Sequence, residues 1–174
     1  MKKLKTAILI GSLSIAGSGI TQGNELVDYV GGGVAIQDID GFGDGLALVL
    51  NAGKNMSNVH ENFSLEGEFT YTLDSPEFKS GGFSMEADIL TLAGYGVFIL
   101  PLNDQFNLKG RAGLLYWDAD IDSNFGAAGS DSEIELSFGF GAEYVLNDSM
   151  KIALDYTIIE SDISHIGLGI KVGL

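Results

Sequence analysis

Residues 63–73 read FSLEGEFTYTL, and the run alternates from end to end. Phe63, Leu65, Gly67, Phe69, Tyr71 and Leu73 share one parity, and Ser64, Glu66, Glu68, Thr70 and Thr72 share the other. Successive side chains of a strand point to opposite faces, so this segment is a strand with one apolar and one polar face. The pattern returns over residues 106–116, where Phe106, Leu108, Ala112, Leu114 and Tyr116 oppose Asn107, Lys109, Arg111 and Gly113. It returns over 133–144, where Ile134, Leu136, Phe138, Phe140, Ala142 and Tyr144 oppose Glu133, Glu135, Ser137, Gly139, Gly141 and Glu143. Residues 150–158 and 166–174 keep the same period, and 29–36, 46–52 and 87–99 read as extended with less defined registers. The count is about eight strands.

The connections are of two kinds. LNDQF (102–106) and LNDSM (146–150) are compact, with Asn and Asp tolerating the backbone conformations of tight hairpins. NFSLEG (62–67) resembles QFNLKG (105–110), so a two-strand unit repeats. The other connections are longer and acidic, over 37–45, 74–84, 118–132 and 160–164. Short and long alternate, so the two ends of the sheet differ.

A chain of 174 residues has room for one domain. It carries 24 acidic against 9 basic residues, a formal charge of −15, yet 45% is hydrophobic and it contains 25 glycines, two prolines and no cysteine. Nucleic acid is excluded as a partner for want of basic patches. Lys2, Lys3 and Lys5 precede an apolar run to about Ile20 that includes Ala16, Gly17, Ser18 and Gly19. Residues 1–22 are therefore expected to be a secretory signal peptide, cut between about 16 and 23, leaving 23–174 as the mature domain. The run falls short of the roughly 20 apolar residues a spanning helix needs. Taking the three signal lysines from the nine basic residues leaves six, and a mature charge near −18.

Strands with one apolar face fit a barrel that is apolar inside, like a lipocalin, or apolar outside, like a membrane barrel. Lys109, Arg111, Lys151 and Lys171 fall on the polar parity with Glu66, Glu68, Glu135, Glu143 and Asp155, among Gly, Ser and Thr. Such a set suits a narrow lumen, where small residues make room for a few large ones and buried charges need partners. The apolar parity carries aromatics near strand ends: Phe63, Phe106 and Tyr144 by the short turns, and Tyr71, Tyr116 and Tyr156 by the long connections. That placement suggests two interfacial girdles. The expected fold is all-β, an eight-stranded antiparallel up-and-down transmembrane β-barrel.

With its signal peptide, alternating strands, LND turns and final run HIGLGIKVGL (165–174), the chain resembles the small outer-membrane β-barrels of the OmpA/OmpX type found in Gram-negative bacteria. The resemblance implies a bacterial outer-membrane location, contact with outer-membrane lipid and lipopolysaccharide, insertion by the barrel assembly machinery, and a monomer. Members usually end on an aromatic residue, whereas this sequence ends on Leu174, and the peptidoglycan-binding domain that larger members append is not expected.

WDADIDSN (117–124) has the look of a calcium loop, but an EF-hand starting at Asp118 needs Gly at its sixth position and Glu at its twelfth. Ser123 and Gly129 stand there instead, and the stretch is expected to open the longest external loop, with a weak divalent-cation role left open. His60 and His165 have no evident nucleophile to join, and Gly31-Gly32-Gly33 lacks the helix and Lys of a phosphate loop. No catalytic constellation, cofactor site or metal site is expected. The specific expectation is a lumen network of Glu66, Glu68 and Glu135 with Lys109 and Arg111 that stabilises and plugs the barrel. The function expected is a non-enzymatic structural or surface-interaction protein displaying acidic loops; the alternatives are a narrow porin and a soluble lipocalin-like carrier.

Overall fold

The computed structural model describes residues 26–41, 43–80, 83–124 and 126–174. The expected signal peptide, residues 1–22, lies outside them. The strands are β1 (Tyr29–Ile39), β2 (Gly45–Asn55), β3 (Phe63–Asp74), β4 (Glu77–Ser80), β5 (Phe83–Pro101), β6 (Phe106–Ser123), β7 (Gly126–Asn147), β8 (Met150–Glu160) and β9 (Ile163–Gly173). All pairs are antiparallel, β1 pairs with β9, and β3 pairs with β5. Setting aside β4, a short arm on the edge of β5, the other eight strands close into a barrel with no free edge along its body.

The alternation in the sequence becomes inside and outside. In β3, Ser64, Glu66, Glu68, Thr70 and Thr72 are buried, while Leu65 and Leu73 are exposed. The outer wall carries Val34, Leu92, Leu114, Ile134, Leu136, Phe140, Leu154 and Leu168, all exposed, with Leu136 at 66%. The interior holds Lys109, Arg111, Glu143 and Lys171. This arrangement rules out the soluble carrier considered from sequence: an apolar belt of this kind needs lipid, since water would leave it unburied.

The two ends differ as the connections implied. Asn103 Oδ1 accepts from the backbone N–H of Gln105 and Phe106, and Asn147 Oδ1 from that of Ser149, fixing the LND turns. Met56, Val59 and His60 form the third connection at this end, where the chain also enters at Tyr29 and leaves at Gly173. At the opposite end Gly41, with φ of 85°, turns β1 toward β2, a conformation that side chains with a Cβ resist.

One expectation is corrected here. Residues 118–132 are not a loop: β6 runs on to Ser123 and β7 begins at Gly126, with Asp118 paired to Ser132, Asp120 to Ser130 and Ile121 to Gly129. Asp, Gly and Ser are poor strand formers, and their run reads as a connection. In β6 they extend the sheet because β5 and β7 flank the strand on both sides and supply its cross-strand hydrogen bonds, whereas the part of β7 before Phe138 pairs with β6 alone. At 19, 18 and 22 residues, β5, β6 and β7 outrun the 11-residue β1, β2, β8 and β9. The excess of about eight residues projects a sheet on the order of 25 Å past the rim. Residues 74–84 likewise contain β4 rather than only a loop.

Candidate functional site

The inward column of β6 states the plan of the lumen. From the short-turn end it reads Asn107, Lys109, Arg111, Gly113, Leu115, Trp117 and Ala119, so charge gives way to apolar bulk at Gly113.

In the charged half, Arg111 faces Glu68 across the lumen as a bidentate pair, with Nη1 2.5 Å from Oε2 and Nη2 3.2 Å from Oε1. Nη2 also donates to Thr157 Oγ1, and Nη1 lies 3.5 Å from Glu66 Oε1. The guanidinium packs over the Tyr95 ring, 4.5 Å from its centroid. Glu66 is held in turn by Lys171 Nζ at 2.5 Å and by the Tyr29 hydroxyl, which donates to it at 2.9 Å. Lys171 reaches Glu143 at 3.4 Å, Lys151 reaches Glu143 at 3.3 Å, and Lys109 pairs with Asp155 at 2.8 Å. Arg111, Lys109, Lys151 and Lys171 thus meet Glu66, Glu68, Glu143 and Asp155, and the formal charges cancel. Fork-shaped guanidinium and carboxylate pairing suits such a crowded, buried site.

Glycine makes the room. A Cβ at Gly139, the β7 residue beside Arg111, would come 2.9 Å from Arg111 Nε, and one at Gly53 would overlap the ring of Tyr29.

Of the residues expected to cluster, Glu66, Glu68, Lys109 and Arg111 are brought together. Glu135 is not: it pairs in register with Leu115, while Arg111 pairs with Gly139 and Lys109 with Gly141. Four residue steps put it roughly 14 Å along the strand from Arg111. It joins Glu133 and Asp131 on the inward parity at the far rim, near Glu160 and Asp162, and these like charges, after desolvation, hold the Glu160 carboxyl above its ordinary range. Glu143, two turns of the pleat beyond Gly139, takes the place assigned to Glu135. Tyr29, Tyr95, Thr157 and His165 were missed; His165 Nε2 stands 3.9 Å from Glu68 Oε1. Their inward parity was the available signal.

The apolar cluster of the lumen reaches into the charged half along β5 through Ala93, Tyr95 and Val97, and fills the other half with Ile39, Ala87, Ile89, Leu115, Trp117, Ala119 and Ile159, with Ile163 against it. Phe63, Tyr71, Phe106, Tyr116, Tyr144 and Tyr156 lie on the outward parity, where the Phe106 and Tyr144 rings meet at 5.0 Å and those of Phe140 and Tyr156 at 5.3 Å. Among the described residues no group of three or more His, Cys, Asp or Glu side chains is arranged to hold a metal ion.

The barrel is similar to Neisserial surface protein A, with a TM-score of 0.64 at 13% identity over 84% of this chain and 96% of that one. It is similar to Ail, the attachment invasion locus protein of Yersinia pestis, with a TM-score of 0.57 at 17% identity over 85% and 97%. It is also similar to a major outer membrane protein from Thermus thermophilus, with a TM-score of 0.54 at 11% identity over 84% and 99%. No curated protein matches the sequence. These likenesses establish the fold, and the family model described as "Outer membrane protein beta-barrel domain" matches residues 6–173. The chain belongs to that family of outer-membrane β-barrels.

Proposed function

We propose that this is a non-enzymatic structural and surface-interaction protein of the outer membrane, with a lumen closed to solutes. In barrels of this kind the short turns face the periplasm and the long connections face outward. The network then fills the periplasmic half, the apolar cluster fills the external half, and the extended β5–β6–β7 sheet stands outside the cell. The observation that carries the reading is the filled lumen, in which paired charges neutralise one another and leave the excess acidity to the rims. Outside, Glu86 pairs in register with Asp122 and Asp88 with Asp120. Like charges placed opposite each other cost stability, which suits a surface whose task lies in contact rather than in folding.

The ion network acts here as an internal brace. The six aromatics sit as two interfacial girdles, and the barrel is inserted by the assembly machinery and works as a monomer in lipid and lipopolysaccharide. Ail has been solved in complex with the heparin analogue sucrose octasulfate. A polyanion has the wrong charge for the acidic sheet here, so a cationic or cation-bridged partner fits better.

Planar-bilayer recording of the purified barrel tests the closed lumen. The expected trace is silent at moderate voltage; stable unitary conductance would establish the narrow porin instead.

A further inference from the structure

At mid-height the inward faces of β1 and β9 are stripped of bulk. Gly33 faces Gly169 and Ala35 faces Gly167 in register, so the network leans toward β3 and β6 and leaves a seam along β1 and β9. A cavity of about 20 Å³ lies on this seam, walled by Gly33, Gly167, Gly169, Ala153 and Asn51 and by the side chains of Arg111 and His165. Besides Asp155 Oδ1, which is ion-paired with Lys109, three buried polar atoms there have no hydrogen-bond partner among the described residues: Asn51 Oδ1, Arg111 Nε and His165 Nδ1. Arg111 and His165 are 4% and 2% exposed. One acceptor, one donor and one group able to serve as either suit a single water, and a volume of this size admits one. A second cavity, about 180 Å³, opens at the periplasmic end between Tyr29, Asn55, Glu143, Ser149 and Lys151. Lys171 lines both.

Above His165 the chemistry changes. Gln37 and Thr72 bond to each other, and beyond them stand Ile39, Ile89, Leu115, Trp117 and Ile159. That layer offers few polar groups: Trp117 Nε1 and Thr91 Oγ1 are buried in it without a hydrogen-bond partner among the described residues, and apolar side chains make up the rest, so little there replaces the hydrogen bonds that water or an ion would leave behind. Allowing for strand tilt, the step from Leu115 to Ala119 makes it roughly 10 Å thick.

We propose that the lumen is a half-channel: it is hydrated from the periplasmic vestibule, past Lys171, to a water site between Asn51, Arg111 and His165, and sealed toward the exterior by the apolar layer. The ion network is then a wetted brace, and the barrier to permeation lies in Leu115, Trp117, Ile159 and their neighbours.

The chain has no cysteine, so single thiols report cleanly. Ala153→Cys places a thiol on the cavity wall, Leu115→Cys places one in the apolar layer, and Lys151→Cys places one in the vestibule as the reactive reference. Each variant, checked for folding by its heat-dependent gel mobility, is exposed in detergent to Ag⁺ without chloride, then unfolded and labelled with a maleimide. Silver is small enough to follow water and protects any thiol it reaches. The Ala153→Cys thiol is expected to be protected at least about tenfold faster than the Leu115→Cys thiol. A smaller ratio overturns the proposal: with both slow the cavity is dry, and with both fast the apolar layer seals nothing. The proposal rests on the closed-lumen reading, and the two fail separately. Wild-type conductance overturns the closed lumen, whereas a ratio near one in a silent barrel overturns only the half-channel.

Discussion

The two halves of the lumen fill the same width of barrel with side chains from the same parity, and they do it by opposite means. Periplasmically, Arg111, Lys171 and Lys109 are fixed by partners on other strands, so each position depends on the identity of a distant residue. Externally, Leu115, Ile89 and Ile159 need only volume and shape. An ionic filling is therefore specific and brittle: one missing partner strands a charge. An apolar filling yields in proportion to the volume removed.

Removing the central cation should expose this difference most strongly. Arg111→Ala leaves Glu68 buried beside Glu66 without its bidentate counter-charge, and is expected to destabilise the folded barrel by roughly 4 kcal/mol. Loss of the heat-resistant gel band at temperatures where the wild type keeps it would report this. The double change Arg111→Met with Glu68→Gln should restore most of the loss, because the cost lies in the orphaned charge. A double variant as unstable as the single one would show that the brace depends on more than charge balance.

In the external half, Leu115→Ala is expected to cost roughly 3 kcal/mol, the usual loss on truncating a buried leucine. Leu115 is fully buried, and its removal thins the apolar layer. If the layer is the barrier, planar-bilayer recordings of Leu115→Ala should show brief openings, while Lys109→Met should remain silent despite removing a lumen charge. Openings in the lysine variant alone would move the barrier back to the ionic half.

The contrast also explains what could be read from sequence. Parity alone assigned charges inward and leucines outward, because a period of two survives any error in strand ends. Partners within the lumen depend on height, and height depends on register. Taking residues 118–132 as a loop removed the hairpin that sets β6 against β7, and with it the pairing of Glu135 to Leu115 and of Glu143 to Asn107. Glu135 and Glu143 look equivalent on a strand whose ends are unknown. Once the hairpin is placed, they lie at opposite ends of the lumen. The apolar half was hidden for a related reason: Trp117 and Ala119 lie past the expected boundary at Tyr116, and Leu115, within it, is a lone apolar residue on the polar parity.

A smaller effect probes the fit of the brace without altering any charge. Gly139→Ala would set a methyl group 2.9 Å from Arg111 Nε and 3.1 Å from its Cγ, with the Tyr156 carbonyl oxygen at 2.7 Å behind it. Backbone on one side and a doubly held guanidinium on the other leave little room to relax, so about 1–3 kcal/mol should be lost. Gly110→Ala, on the outer face with open space around it, serves as the comparison and should cost less. Equal thermal stability of the two variants would mean that Arg111 is loosely held.

The smallest expected effect lies where neither filling applies, at the external mouth. Glu160 is desolvated and then pressed by Glu135, Asp162, Glu133 and Asp131, which together raise its carboxyl above the ordinary range. A carboxyl raised on folding resists ionisation in the folded state, so it lowers stability at a pH above its raised value. That penalty vanishes as pH falls below the ordinary carboxylate range, where folded and unfolded chains are both protonated. Glu160→Gln should therefore raise the unfolding temperature slightly at neutral pH and leave it unchanged in acid. Because the group sits half-buried at a solvent-facing mouth, added salt should shrink the difference. A stabilisation that persisted in acid would have to come from packing or hydrogen bonding by the amide. One that disappears both in acid and in salt marks the mouth as a solvated acidic rim, where unlike the ionic half the charges have no built-in partners.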